Sequence, residues 1–312
     1  MSADDHFHIG RDAEFGAFWP FHPSSEVNLC VAIFFGLTTL MHTIQAFVYK
    51  QAFCWVVVMG CAWESVAFVL RFLGSMNGNI PAYYIASSIL FNLAPLWVNA
   101  FVYMVGVRLI WLGQPEQTVW CIAGKKLAKV FVALDIICFL AQGGGTSLMS
   151  QASGSADDSK IKLGQGIYIF GCVAQLCFMA IFAVLLLTLR RNGKRSGQGW
   201  GHTRPILLLE LVIYIVMILI SIRVIFRLIE FGGGVSHDNP LTSNELYAVG
   251  FDAVPMIVAL YLLNFVPPGR VLRGLETGWS GKILGDHELL VNDTHSRSLS
   301  STLHPAWRPN ME

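Results

Sequence analysis

Residues 205–220, PILLLELVIYIVMILI, and residues 221–234, SIRVIFRLIEFGGG, decide the fold class. A transmembrane helix needs about 20 mostly apolar residues to cross about 30 Å of hydrocarbon, and the joined stretch meets that length. It nevertheless carries Arg223, Arg227 and Glu230, whose i, i+4, i+7 spacing puts them on one helix face. A charge at mid-bilayer costs roughly 2.5–3.5 kcal/mol. That face is therefore predicted to turn away from lipid, towards other helices.

The whole chain has the composition of a membrane protein. Of its 312 residues, 54% are hydrophobic and 13% are charged, against about 25% charged in a soluble domain, and the mean hydropathy is +0.56. Apolar runs long enough to cross the membrane occur seven times, and they are too long for barrel strands. They therefore predict an all-α polytopic protein, a bundle of seven transmembrane helices. We place the spans at Val27–Phe47, Phe53–Leu73, Ala82–Leu112, Val130–Leu148, Gly164–Leu189, Pro205–Phe231 and Leu246–Phe265.

The distribution of basic residues predicts the orientation. With the N-terminus outside, 15 of the 21 lysines and arginines fall in inside segments, and only Arg11, Lys160 and Lys162 fall in outside segments. Because cytosolic loops are enriched in Lys and Arg, we expect an external N-terminus and a cytosolic C-terminus. Residues 1–26 are then an extracellular segment without a cleavable signal, residues 27–273 the membrane domain, and residues 274–312 a polar cytosolic tail, expected to be disordered.

Polar residues inside the spans form what we call the polar seam. Several occur in pairs at i, i+7, which keeps both members on one helix face, and ionisable groups inside a membrane mark a pathway or a site. On the predicted orientation the seam lies mainly in the outer half of the bundle, and we expect it to line a polar cavity there. Its members are Glu64, Arg71, Asp135, Gln142, Gln175, Arg223, Arg227, Glu230, Glu245 and Asp252.

The charges of the polar seam permit two interpretations. Pairs such as Glu64 with Arg71, or Arg227 with Glu230, could form a lattice that only holds the helices together. The seam contains five acids, however, and only three bases. The two carboxylates left over are either protonated or available to a cationic ligand such as an amine.

Two glycine triplets and two prolines lie within or at the ends of the predicted spans. QGGG at residues 142–145 and FGGG at residues 231–234 each follow an outward-running helix. Glycine ends helices, which makes both triplets candidate helix stops, but it also lets backbones approach closely. Pro95 and Pro255 lie inside predicted helices and are expected to kink them.

Several functional classes are excluded by missing motifs. No Gly-Lys step is followed by Ser or Thr, which excludes a P-loop, and no lysine lies in a predicted span to carry retinal. The seven cysteines show no metal-binding spacing, and neither HExxH nor GxSxG occurs. We therefore expect no metal, no cofactor and no catalytic residue, and partners that are the membrane and a lipid or amphiphilic small molecule, not nucleic acid.

Six fragments, in order across residues 21–273, resemble the fungal lipid-translocating exporter family, the RTA-like proteins named for resistance to aminocholesterol. Among them are CAWESVAFVLRFL (61–73), KVFVALDIICFLAQGGGTSLM (129–149), IRVIFRLIEF (222–231) and FDAVPMIVALYLLNFVPPGR (251–270). The family pattern places polar residues where the seam has Glu64, Arg71, Asp135, Gln142 and the sixth-helix charges, and it has Asp252 with Pro255. Pro267 stands where the family commonly has His, and His22 precedes PS where it has Tyr.

The resemblance implies a membrane exporter or translocator of lipids or amphiphiles, in the plasma membrane or alternatively in the endoplasmic reticulum or vacuole. Sphingoid long-chain bases, sterol-like amines and porphyrins are the compounds linked with the family, in efflux or resistance. Two alternatives stay open at this point. One is an intramembrane enzyme that uses Glu64, Asp135 and Asp252 as general acids. The other is a receptor-like seven-helix signalling protein.

Overall fold

In the computed structural model, the described residues are 23–77, 79–113, 124–153, 158–195, 204–232, 241 and 244–273. They form helices and contain no strand. Seven helices are long and apolar enough to cross a membrane, which confirms the predicted all-α bundle. They are α1 (Ser25–Tyr49), α2 (Cys54–Met76), α3 (Pro81–Gly113), α4 (Gly124–Ser153), α5 (Asp158–Arg195), α6 (Arg204–Gly232) and α7.

The helix α7 is built from three consecutive pieces. An α-helical turn at Glu245–Ala248 leads into a π-helical turn at Val249–Ala253, and an α-helix at Val254–Phe265 completes the span. A short helix α8 (Pro268–Val271) follows.

Both predicted terminal segments fall largely outside the structural description. Residues 1–22 and 274–312 are outside the described residues. The extracellular segment, the disordered tail and the direction of the termini across the membrane therefore stay predictions.

Local sequence sets the ends of α1. Ser24 is the N-cap residue, and its side chain accepts a hydrogen bond from the Val27 amide at 3.5 Å, as serine favours at helix starts. The helix ends at Lys50, which adopts the left-handed conformation with φ 54° and donates its amide to the Ala46 carbonyl. A left-handed residue is a common way to end a helix.

Apolar side chains, aromatic ones included, cover the outside of the bundle and also fill its interior. Phe170 and Phe265 are 71% and 79% exposed, as expected of side chains that meet acyl chains. Phe35, Phe68 and Phe182 are completely buried. Helices adjacent in sequence pack together, α7 contacts both α6 and α1, and α3 also contacts α5 and α6.

Hydrogen bonds join α1 to the C-terminal part of α7. His42 donates from Nε2 to the Leu260 carbonyl at 3.2 Å, and Gln45 donates from Nε2 to the Asn264 carbonyl at 3.0 Å. His42 is buried, so a core partner, not a ligand, satisfies it.

The helices α4 and α5 approach most closely at glycines. The interpretation of QGGG as a helix stop is wrong, because α4 continues through it to Ser153, as the predicted span Val130–Leu148 requires. A Cβ added at Gly145 would lie 2.5 Å from the Gly164 carbonyl oxygen, and one added at Gly164 would lie 2.7 Å from the Gly145 oxygen. These two glycines therefore act as a backbone contact. In the second triplet, α6 ends at Gly232, and Gly233 and Gly234 lie outside the described residues.

Candidate functional site

Two arginines of α6 meet a buried carboxylate of α7. Asp252 is completely buried in the π-helical turn of α7. Its carboxylate binds Arg223 through Nε and Arg227 through Nη2. Arg227 also pairs with Glu230 one turn further along α6, with an N–O distance of 2.9 Å. The α6 arginines thus share a counter-ion supplied by α7, in addition to the pair that spacing suggested within α6.

Two prolines lie where the backbone of α3 and α7 departs from regular α-helical hydrogen bonding, close to these contacts. Proline has no N–H and its ring clashes with the carbonyl four residues earlier. Pro95 lies inside α3, which runs through it as one helix, and it deprives the Phe91 carbonyl of its usual helical donor. Arg223 Nη2 donates to that carbonyl at 3.1 Å. In α7 the π-helical turn that carries Asp252 ends two residues before Pro255, and π-turns often occur at functional sites.

The ring of Phe91 is surrounded by three guanidinium groups, which we call the arginine cluster. The Cζ atoms of Arg71, Arg223 and Arg227 lie 4.6, 5.1 and 5.3 Å from its centroid. Phe91 is 1% exposed. Because a cation over an aromatic face is stabilised most when it is desolvated, Phe91 helps to hold the cluster in the protein interior.

Replacing Phe91 with leucine tests this role. We expect Phe91→Leu to lower the free energy of unfolding by about 1.5–3 kcal/mol more than an ordinary core Phe→Leu change, since three cation–π contacts of about 0.5–1 kcal/mol each are lost. The matched control is Phe35→Leu, because Phe35 is also buried and its ring also lies 5.5 Å from Phe68. Thermal unfolding in detergent measures both. Equal losses would mean that the ring contributes apolar packing alone.

Glu64 is buried at the edge of this group without a hydrogen-bonding partner. It is 0% exposed, and within the described part of the chain neither carboxylate oxygen receives a hydrogen bond. The suggested pair with Arg71 is not formed, because seven residues along a helix correspond to a rise of about 10.5 Å. The charges that act on Glu64 electrostatically are those of Asp252 and of all three arginines in the cluster.

Glu245 faces α1 and forms hydrogen bonds with its first residues. Its carboxylate accepts hydrogen bonds from the Ser24 amide at 2.7 Å and from Asn28 Nδ2 at 2.6 Å. This polar link joins the first turn of α7 to the first turn of α1. Glu245 therefore lies in the bundle as predicted, but its direct bonds are structural ones.

Asp135 forms a separate polar group between α3 and α4. Its Oδ2 accepts a hydrogen bond from Asn99 Nδ2 at 2.8 Å. Asp135 is 2% exposed. No ion pair joins it to the arginine cluster among the described residues, so the polar seam divides into more than one site.

A cavity of about 450 Å³ lies among α3, α4, α5 and α6. Gln142 and Gln175 are on its wall and hydrogen-bond to each other at 2.9 Å. Arg223 and Arg227 are on the wall as well. The remaining lining is mainly apolar or hydroxyl-bearing: Ser88, Ile89, Asn92, Leu93, Pro95, Leu96, Phe139, Gly143, Thr146, Ser147, Tyr168, Ile220, Val224 and Phe231.

The structure therefore brings four seam residues to one cavity and leaves six away from its wall. The four are Gln142, Gln175, Arg223 and Arg227. None of the described carboxylates lines the cavity: Asp252 and Glu230 bind the arginines, Glu245 and Asp135 bind other helices, and Glu64 is buried away from the wall. The six are Glu64, Arg71, Asp135, Glu230, Glu245 and Asp252.

The residues that sequence reasoning missed are mostly uncharged partners. Asn99 had a signal, since it shares a face of α3 with Asn92 at i, i+7 spacing. Phe91 had none, because one aromatic residue among many in an apolar run predicts only core packing. Asn28 lies in the first turns of α1, where polar residues are ordinary.

Comparison with known proteins identifies relatives of the chain. The family model described as RTA1 like protein matches residues 57–275. The probable lipid transporter atnI of Emericella nidulans is 36% identical over 265 residues, which cover 81% of this chain and 68% of that protein. Protoporphyrin uptake protein 1 of Saccharomyces cerevisiae is 29% identical, covering 64% of each chain.

A more distant relative is lipid-translocating exporter-like protein RTA1 of Leptosphaeria maculans, 24% identical over 83% of this chain and 52% of that protein. The aligned part thus spans about half to two thirds of the length of these relatives. No solved structure matches the chain.

Proposed function

The chain belongs to the RTA1-like protein family, and we propose that it moves a lipid or another amphiphile across the membrane that its seven helices span. The family relationship supports a lipid-related membrane transporter, since relatives carry the names probable lipid transporter and lipid-translocating exporter-like protein. The finer proposal, efflux that confers resistance, takes the plasma membrane as its location.

The cavity among α3, α4, α5 and α6 is the observation that carries the proposal. Its wall joins a polar region, with Gln142, Gln175 and the two α6 arginines, to an apolar region that includes Leu93 and Val224. A pocket that is largely apolar, with a few convergent polar groups, is the usual form of a small-molecule site. An amphiphile offers both surfaces in one molecule.

The predicted orientation gives the cavity a position in the membrane. With the N-terminus outside, α4 and α6 run outwards, so Ser147 and Phe231 on the cavity wall lie towards the outer face. Cargo in the cavity would then be close to the outer leaflet. Export from the inner leaflet requires a second arrangement of the helices that opens this cavity inwards.

Filling the cavity provides the test of the proposal. Gly143 lines the cavity, and a Cβ added there meets nothing within 4 Å. We expect Gly143→Trp to reduce transbilayer movement of labelled amphiphiles in proteoliposomes at least about tenfold, because the indole occupies space that the cargo needs. The amphiphile set contains a sphingoid base, an amino-sterol, a phosphate-headed lipid and a fatty acid.

The matched control is Gly144→Trp, because Gly144 is adjacent, equally open and not part of the cavity wall. It should transport like the unmodified protein, and both variants should unfold at similar temperatures. Movement that Gly143→Trp leaves unchanged would show that cargo does not use this cavity. Movement of none of the four amphiphiles by the unmodified protein would contradict the transporter function.

A cellular experiment tests efflux and location. Loss of the gene in the native host should lower tolerance to the transported amphiphile, and the unmodified chain should restore it where Gly143→Trp does not. Fractionation of a tagged chain with plasma-membrane markers checks the location. Unchanged tolerance to every compound tested would contradict the role in resistance.

A further inference from the structure

The charges that face the cavity are both positive. Arg223 and Arg227 are the only charged side chains on its wall within the described part of the chain. Asp252 is 0% exposed and Glu230 is 7% exposed, and both contact the arginines without lining the cavity. The paired groups therefore form a local dipole whose positive side points into the cavity.

Within the described part of the chain, only two of the five seam carboxylates bind the arginines directly. Asp252 and Glu230 are the carboxylates that bind the arginines. Glu245 binds α1 and Asp135 binds Asn99. Glu64 receives no hydrogen bond from a described residue. The sequence suggested a surplus of acids, but at the direct contacts with the arginines the described carboxylates are fewer than the guanidinium groups.

Arg71 is the one arginine of the cluster that no described carboxylate binds directly. Its guanidinium lies over the Phe91 ring at 4.6 Å and forms no ion pair within the described residues. Three guanidinium groups therefore share two directly bound carboxylates. Of the three, Arg223 and Arg227 line the cavity wall, where a further anion can reach them.

Guanidinium chemistry selects the kind of group that would supply that charge. Arginine is a donor only, and its fork of N–H groups matches the oxygens of a carboxylate or a phosphate. Arg227 Nε has no hydrogen-bond acceptor in the described part of the chain. A cationic amine would meet the like charge of Arg223 and Arg227 at this wall, where the acceptors are neutral amide and hydroxyl oxygens such as those of Asn92 and Ser147.

We propose that the cavity takes the anionic head of an amphiphile, a phosphate monoester or a carboxylate, at Arg223 and Arg227. The hydrocarbon part then lies along Leu93, Leu96, Ile220 and Val224 on the same wall. This assignment rests on the proposed transport function and names its substrate class. It differs from the cationic ligand that was one of the two alternatives left open by the residue count of the sequence.

Competition binding to the purified full chain in detergent tests the assignment. The probes are dodecyl phosphate, dodecanoate, dodecylamine and dodecanol, which share one chain and differ in the head. We expect dodecyl phosphate and dodecanoate to bind at least about tenfold more tightly than dodecylamine, because the head lies within a few ångströms of two guanidinium groups. The ratio of the first two separates a phosphate site from a carboxylate site. Dodecylamine binding as tightly as either anion would overturn the proposal.

A charge change on the cavity wall gives a second readout. Gln142→Glu should reduce the preference for anions over amine at least about tenfold, because it adds a negative charge beside the proposed head. Gln142→Met, which is similar in size and neutral, should keep the preference. An unchanged preference in Gln142→Glu would contradict the assignment. If that variant fails to fold, the ranking of the four probes by the unmodified chain decides alone.

The two proposals fail in distinguishable ways. Movement of amphiphiles across proteoliposomes, with amines preferred, would remove the anionic headgroup and leave the transporter. Tight binding of anions without any movement would keep the headgroup site and contradict transport.

Discussion

Asp252→Asn is expected to lower the free energy of unfolding by about 3–5 kcal/mol, the range seen when one partner of a buried ion pair is removed. Asp252 is completely buried and binds both Arg223 and Arg227. The amide has nearly the same shape but no charge, so the buried Arg223 and the largely buried Arg227 lose their shared counter-ion. Unfolding by heat or denaturant in detergent measures the loss, and amphiphile movement should fall with it.

The control and the rescue separate charge from shape. Glu26→Gln neutralises a carboxylate on the exposed face of α1, and it should change stability by less than about 0.5 kcal/mol. Adding Arg223→Met to Asp252→Asn should recover part of the loss, because one fewer buried cation lacks a partner. A double variant less stable than Asp252→Asn, or an Asp252→Asn variant as stable as Glu26→Gln, would contradict the shared counter-ion.

Gly145→Ala is expected to destabilise the bundle by about 3 kcal/mol or more, although it adds one methyl group. The new Cβ would lie 2.5 Å from the Gly164 carbonyl oxygen and 2.8 Å from the Tyr168 amide nitrogen. Both are backbone atoms of α5, so no side-chain rotation relieves the overlap and the helices must separate. Overpacking in a core typically costs about 1–3 kcal/mol, and here the separation also weakens contacts along α4 and α5.

Gly144→Ala is the matched control for this prediction. It changes the neighbouring residue in the same helix, where an added Cβ meets nothing within 4 Å. Because alanine is a better helix former than glycine by about 1 kcal/mol, this variant should be as stable as the unmodified chain or slightly more stable. Unfolding temperatures in detergent compare the two. Similar stabilities for both alanine variants would refute the close approach of α4 to α5.

The seven helices could be predicted from the sequence because length and hydropathy define a membrane span almost alone. The ends were harder to predict. Backbone hydrogen bonds in lipid stay within the helix, so α4 passes through QGGG instead of stopping there, and Gly145 uses its missing side chain for contact with α5. Helix-stop signals learned from soluble proteins overstate what a glycine run does inside a bundle.

For the candidate site, the periodicity predicted faces but not partners. Spacing correctly placed Arg223, Arg227 and Glu230 on one side of α6, but which helix opposes that side depends on packing. The same limit explains Glu64, whose sequence-based partner Arg71 lies two turns away. The π-helical turn at Asp252 and the carbonyl released by Pro95 depend on local backbone geometry, which apolar periodicity does not encode.

The links between α1 and α7 have a consequence for how the bundle changes shape. Glu245 joins the beginnings of the two helices, and His42 and Gln45 join α1 to the later part of α7. The cavity is lined from the other side of the fold, by α3, α4, α5 and α6. We therefore expect α1 and α7 to move as one unit in any change of shape, and a lateral opening to this cavity to form among α3, α4, α5 and α6.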